Sequence, residues 1–471
     1  MSGNGPERTD ATRRRFLTGA AGAVGAAATV TPAHSSPQAV SDVLPFHGPH
    51  QNGIALPMQS HAYFAAFDLA AETRDEVVAL LKAWTAAAAR LADGKPAQDL
   101  EAELQPAVTL ASAKDAAAYG ASPQGATADA GETQGETLGE PPGGATGAQG
   151  PQSAAGDTGE TMGQPAARLT LTFGFGAGLF TKDGKDRYGL AAKRPAALVD
   201  LPKFVGDQLV EAQSGGDLLV QACADDPQVA FHAVRQLARI AGDATKLRWV
   251  QTGFVPDAGT GQTPRNLMGF KDGTNNPKHD DPEAMGRFVW AGDEGPAWMK
   301  GGTYMVTRRI RIALEHWDRM KVSFQEETLG RHKYSGAPIG RKKEHDDLDL
   351  AATDKAGNPL IVENAHVRLA TAATNDGAQI LRRGYSYNDG VNFTTERWPP
   401  WRQGLEYDSG LFFVAFQRDP RTGFVKIFER MAKFDMLNQF VTHVGSGHFA
   451  CPPGVGAAGD YFGQRLFEDR A

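Results

Sequence analysis

Between Asp115 and Ala167 the chain carries neither lysine nor arginine and almost no large apolar side chain; Gly, Ala, Thr, Gln, Pro and Glu make up the bulk. A stretch of that composition cannot bury enough surface to offset its ordering entropy, so it reads as a mostly disordered insertion. The fold is therefore built from the segments on either side, and every motif below lies there.

Those segments repeat a strand–helix–strand rhythm. His61–Leu69 reads as a buried strand, followed by a helix whose start is marked by a Thr73/Glu76 capping box ahead of Val77, Leu80, Leu81 and Trp84. Order resumes at Arg168 with the alternating "RLTLTFGFG"; its glycines lack dinucleotide-site spacing. Asp217–Ala224 is a further strand. Asp226-Pro227 then supply the cap and first position of a helix with a stripe of Phe231, Val234, Leu237, Ala238 and Ala241. In the second half, Gly301–Ile312 and Gly410–Gln417 read as strands, and Ala313–Met320 and Phe424–Phe440 as helical. Such units without long βαβ alternation predict an α+β chain of two related domains, 45–260 and 261–465, divided near Pro256–Pro264.

The first 33 residues stand apart. Arg13-Arg14-Arg15-Phe16-Leu17 leads into a weakly apolar Gly/Ala run and a small-residue site at Thr31-Pro32-Ala33. This is an export signal of the twin-arginine type rather than a stable membrane span, and it implies that export machinery as a partner. Net charge is −7, from 48 basic and 55 acidic residues without a long basic run, which argues against nucleic acid. The two cysteines, Cys223 and Cys451, form no metal or haem-attachment motif; one disulfide is open to them, although Cys223 reads better as a buried small residue.

Three segments carry chemistry. "NLMGFKDGTNNP" (Asn266–Pro277) is a run of turn-formers with one acid, Asp272, held between Lys271 and Gly273. His366 lies in the apolar run "IVENAHVRLA", where a histidine is either a satisfied core residue or a ligand. "ILRRGYSYNDG" places Arg382 and Arg383 in a strand-like run; they either reach solvent or meet something anionic. A histidine ligand, an acid to move a proton and an arginine to stabilise charge are the parts that run haem against peroxide.

"GFKDG", "NAHVRLA" and "ILRRGYSY" resemble, in that order, the G-x-x-D-G motif, the proximal-histidine segment and the distal-arginine strand of the dye-decolorising peroxidases. "FHGPHQNGI" and "LNQFVTHVGSGHFACPPG" also look like this family, in particular its exported branch, which includes haem-handling proteins of iron uptake. The resemblance covers Phe46–Phe462 apart from the insertion. It implies two ferredoxin-like domains with one non-covalent haem b in the second, and hydrogen peroxide and small reductants as substrates. It implies His366 as iron ligand, Asp272 as distal acid–base and Arg382 as the second distal residue. Gly273 and the neighbouring glycines let the backbone bring Asp272 over the iron. Arg383 is assigned to a haem propionate or another carboxylate, with an exchange of roles between the two arginines left open. Asn438 falls where relatives place an acid against the proximal histidine, which would give that ring a neutral partner. A haem-binding, iron-releasing protein is the competing reading. Electron transfer to bulky donors through Tyr385, Tyr387, Trp398 or Trp401 is a further expectation, and a homo-oligomer is compatible with the sequence.

An aspartate base stays ionised at pH values that protonate an imidazole, since ordinary carboxylates titrate near about 3.9. Dye oxidation is therefore expected to peak in the acidic range; a pH–rate profile peaking well above neutrality would exclude an aspartate as the base.

Overall fold

The computed structural model describes residues 42–100, 156–256, 262–395 and 403–468. The expected export signal, Trp398 and Trp401 lie outside these, as does most of the insertion. Its last twelve residues, 156–167, differ from expectation. Asp157 is buried and accepts from the amides of Ala97 (2.6 Å) and Gly159 (2.7 Å), and Ala166 and Ala167 are buried. Two short apolar residues and one satisfied carboxylate dock this end, although its composition reads as solvated.

The first half runs β1 (His61–Leu69), α1 (Arg74–Ala92), β2 (Thr170–Phe175), β3 (Leu218–Ala224), α2 (Pro227–Ala241) and β4 (Thr245–Phe254). Its antiparallel strands lie in the order β4-β1-β3-β2. Helix α1 starts at the expected box: Thr73 Oγ1 accepts from the Glu76 amide, and Glu76 Oε2 accepts from the Thr73 amide (3.1 Å). At α2 the Asp226 carboxylate caps the amides of Gln228 and Val229. The predicted stripe holds except at Phe231, which is 43% exposed and leans on Tyr63, while Ala230 and Ala233 face the core. Trp84 closes that core, with its indole N–H on the carbonyl of Leu237 (2.7 Å).

The second half repeats the topology: β5 (Thr303–Ile312), α3 (Val322–Leu329), α4 (His366–Ala370), β6 (Leu381–Arg382), β7 (Tyr385–Thr395), β8 (Gln403–Gln417), α5 (Phe424–Phe434) and β9 (Val441–Cys451). Segments β6 and β7 run end to end along one side of β8, β5 pairs with its other side, and β9 follows β5. Each half is thus ferredoxin-like. The two sheets join through Phe254↔Ser386 and Phe175↔Ala450, and the ring closes as a barrel. Phe64, Tyr385, Tyr387, Phe412, Val414 and Phe449 belong to one buried cluster between the two sheets. Tyr385 and Tyr387 are fully buried, the first donating to Cys223 Sγ (3.3 Å), the second stacked under Arg309. Cys223 and Cys451 are both free thiols, so no disulfide forms.

The halves differ at one connection. In the first, α1 leads from β1 and packs its apolar face into the core. In the second, residues 313–380 replace it with short helices and loops, and the sheet face formed by Ile310, Ile312, Leu411, Phe413, Val441 and His443 lines a cavity instead. The expected helix through Phe440 also stops early, at Phe434. Asp435 adopts extended backbone (φ −69°, ψ 125°) and caps a 3-10 turn.

His448, on β9, donates from Nδ1 to the Val199 carbonyl (2.8 Å), and burial holds its pKa down at about 4. The folded value lies below the unfolded one, near 6.5, so this contribution is complete above pH 6.5 and is lost as pH falls towards 4, by about 3 kcal/mol. Denaturant midpoints of the haem-free protein are expected to fall across that window, and less steeply in His448→Gln. An unaltered slope in the variant would refute the assignment.

Candidate active site

The cavity in the second half has a volume of about 240 Å³. Strands β5, β8 and β9 supply one wall, α5 contributes Phe424, Ile427, Phe428 and Met431, and the 266–275 loop, α4 and Ile380–Arg382 complete the lining.

Asp272 reaches it through a small hairpin. Arg265 bridges Lys271, the Asn266 side chain accepts from the amides of Met268 and Phe270, and Gly269 (φ +83°) makes the turn. A Cβ at Gly269 would also lie 2.9 Å from Lys333 Cε. Asp272 is then tied by its amide to the Pro264 carbonyl (2.9 Å), and Gly273 (φ +108°) turns the chain away, leaving the carboxylate in the cavity wall.

Arg382 Nη1 donates to Asp272 Oδ1 at 2.8 Å. Both side chains remain about 30% exposed, towards the cavity they line. Their spacing is set by Asn276, whose amide donates to the Arg382 carbonyl (2.7 Å) and accepts from the Arg382 amide (3.2 Å). Asn276 lies in the loop singled out from sequence, but there it reads only as half of an Asn-Pro turn.

His366 opens α4, and its Nδ1 donates to Asp435 Oδ2 at 2.7 Å. Burial alone would push the imidazole pKa down; the adjacent Asp435 carboxylate outweighs it, and the net shift is upward. Asp435 is buried, with its other oxygen on the Leu437 amide (2.8 Å). This corrects the expectation for Asn438. That residue lines the cavity, but its amide donates to the carbonyls of Met431 and Ala432 at the end of α5. The histidine's partner is an acid three residues earlier, at the break after Phe434, a position that a continuous helix to Phe440 would hide.

Arg383 is a second correction. It is absent from the cavity lining; its guanidinium lies buried against Leu56 O and Gln59 Oε1 of the first half. Consecutive strand residues face opposite sides, so Arg382 and Arg383 cannot share the cavity. His443, not singled out from sequence, also lines it. Burial, with Arg308 second, pushes its pKa down to about 3; its Nδ1 therefore accepts from Arg308 Nε (3.1 Å) as a neutral ring.

The donor set fits haem. With Nδ1 committed to Asp435, the His366 Nε2 keeps its lone pair for a metal, and the remaining lining is mostly apolar, as a macrocycle requires.

Comparison with known proteins agrees with a haem class. Residues 51–255 match the family model of the Dyp-type peroxidase N-terminal domain, and residues 263–456 that of its C-terminal domain. The chain is 36% identical over 433 residues to a dye-decolorizing peroxidase of Thermobifida fusca, covering 89% of this chain and 84% of the relative. It is 32% identical over 443 residues to a deferrochelatase of Escherichia coli strain K12, covering 92% and 90%. A crystal structure of a DyP-type peroxidase from Streptomyces coelicolor superposes with a TM-score of 0.72 at 37% identity, covering 91% of this chain and 98% of that one. The chain therefore belongs to the Dyp-type peroxidases; it is a haem peroxidase, and its cofactor is haem b, held without covalent attachment.

Replacing Asp435 by Asn keeps the shape and removes the charge. Second-sphere partners of this kind are worth about 10- to 100-fold in metal-site affinity. Asp435→Asn is expected to weaken haem retention by that order and to raise the Fe(III)/Fe(II) potential, read by spectroelectrochemistry. A potential equal to wild type would reduce Asp435 to a positioning role.

Proposed function

We propose that this chain is an exported peroxidase that uses hydrogen peroxide to oxidise dyes, phenols or other one-electron donors, with Asp272 and Arg382 as its catalytic residues. The observation that carries this reading is the Asp272–Arg382 pair, 2.8 Å apart, in the wall of a cavity that also holds His366. Bound haem supplies the electrons that cleave peroxide and recovers them, one at a time, from the donor. Asp272 accepts the proton from one peroxide oxygen and returns it to the other, which leaves as water. Arg382 holds positive charge beside the oxygen that becomes electron-rich as the O–O bond stretches. Asn276 fixes the arginine backbone, and Asp435 fixes the His366 ring on which the haem would be held. Export rests on the twin-arginine pattern within residues 1–33, and the same reading supplies the export machinery as a partner.

The deferrochelatase relative supports a second reading, a haem-binding protein that releases iron from haem. One experiment separates the two: the haem-loaded protein is mixed with one equivalent of hydrogen peroxide in a stopped-flow spectrometer. A fast Soret change that an electron donor reverses is the expected result. Asp272→Ala should slow it by about 100- to 10,000-fold and Arg382→Leu by about 100-fold or more, with the ferric spectrum retained. An inert Soret band, together with chelatable iron and intact porphyrin, would transfer the assignment to iron release.

A further inference from the structure

We propose that His232 and Asp157 bind a divalent cation of the zinc class, with Gln164 as a further oxygen donor and Glu160 as the group that orients the histidine. None of the four lines the haem cavity, so the inference does not rest on the peroxidase reading. Asp157, Glu160 and Gln164 lie on the docked end of the insertion, and His232 lies on α2. One donor atom each from Asp157, Glu160 and His232 falls within 4.8 Å of the others.

Proton placement decides what this cluster can hold. The His232 ring is 1% exposed, with Nδ1 3.1 Å from Glu160 Oε1 and Nε2 3.3 Å from Asp157 Oδ2. The Gln236 amide is further from Nδ1, at 3.5 Å. The Glu160 charge favours the tautomer with its proton on Nδ1, and the Nε2 lone pair then faces Asp157. Nε2 makes no hydrogen bond among the described residues, and neither does the buried side-chain oxygen of Gln164. His232 and Gln164 line one small cavity of about 10 Å³, room for a single atom or water.

Charge points the same way. Asp157 accepts from the amides of Ala97 and Gly159, but among the described residues no lysine or arginine lies within ion-pair distance of it. A buried carboxylate without a cation is costly. Glu160, by contrast, holds Arg235 at 2.8 Å. The Nε2 lone pair, the Gln164 oxygen and the Asp157 carboxylate are all acceptors. A water has only two hydrogens to give them, whereas a cation serves all three. A second ring proton fits less well, because Nε2 and Oδ2 stand 3.3 Å apart without hydrogen-bond alignment. Two ligands of a tetrahedral ion with bonds of about 2.0–2.2 Å stand about 3.3–3.6 Å apart. An imidazole nitrogen in the set favours a zinc-like ion over calcium or magnesium, which take oxygen ligands. Bound there, the ion fastens the end of the insertion to α2.

The test uses the full chain loaded with haem, stripped of loose metal by a chelator and dialysed against zinc buffered at a micromolar free concentration. Bound zinc is counted by elemental mass spectrometry, with the haem iron as internal standard. Wild type is expected to hold one zinc per chain that excess magnesium or calcium does not displace. Asp157→Asn and His232→Gln should lose it with the Soret band unchanged, and Glu160→Gln should weaken it by about 10- to 100-fold. A wild type that takes up no zinc would overturn the proposal. Zinc retained in full by both ligand variants would do so too, as an adventitious ion only, and displacement by calcium would remove the zinc-class assignment. If the variants do not fold, X-ray absorption at the zinc edge of wild type decides. One histidine nitrogen among oxygens supports the site; sulfur or several histidines would overturn it.

Discussion

Successive side chains of a β-strand face opposite sides of the sheet, and in this molecule that alternation separates catalysis from scaffold. At the β6–β7 junction, Arg382 faces the cavity and meets Asp272, whereas Arg383 faces away and ties the second half to Leu56 and Gln59 of the first. Tyr385 and Tyr387, further along, lie in the buried cluster between the sheets. On β5, β8 and β9 the residues Ile310 and Ile312, Leu411 and Phe413, and Val441 and His443 keep the same two-residue spacing and together make the cavity wall. A slip of one residue in any of these strands would exchange wall for barrel interior, so the strand registers hold the site in place.

Duplication explains where the cavity can exist. Both halves carry the same strand order, and each sheet has an outer face to cover. In the first half a 19-residue amphipathic helix does so, with Trp84 and Leu81 against the sheet. In the second half the corresponding connection, 313–380, packs as loops and short helices. The area that the described residues leave uncovered is apolar, and a flat hydrophobic cofactor fills it without altering the shared frame.

Much of this was readable in advance, for identifiable reasons. Strand β1 and the caps of α1 and α2 depend on local pattern and local hydrogen bonds, and both are written in short windows of sequence. Asp272, Arg382 and His366 were found because each sits in a recognisable segment, and the structure brings all three to one cavity. Asp435 was missed because its role depends on what lies opposite it, across 69 residues of chain for its bond to His366. Asn438 was singled out because the family resemblance places it where relatives carry an acid against the proximal histidine; the true partner lies three residues earlier, and helix periodicity alone gives no reason to expect a break between them. The split between Arg382 and Arg383 needed only strand alternation, once the strand's position in the barrel was known.

The replacement of Asn438 by Asp435 as the partner of His366 changes the chemistry and not only the bookkeeping of contacts. A neutral amide would orient the ring and leave the imidazole as a simple donor. A buried carboxylate, 3% exposed and already satisfied on its other oxygen, draws the Nδ1 proton towards itself and gives the ring anionic character. That extra electron density reaches whatever His366 ligates, stabilising its more oxidised states. A protein that only carried or stripped haem would gain little from this, whereas one that must push electrons into a peroxide bond gains directly. The proximal pair therefore argues for the peroxidase independently of Asp272 and Arg382, from the opposite side of the same cavity.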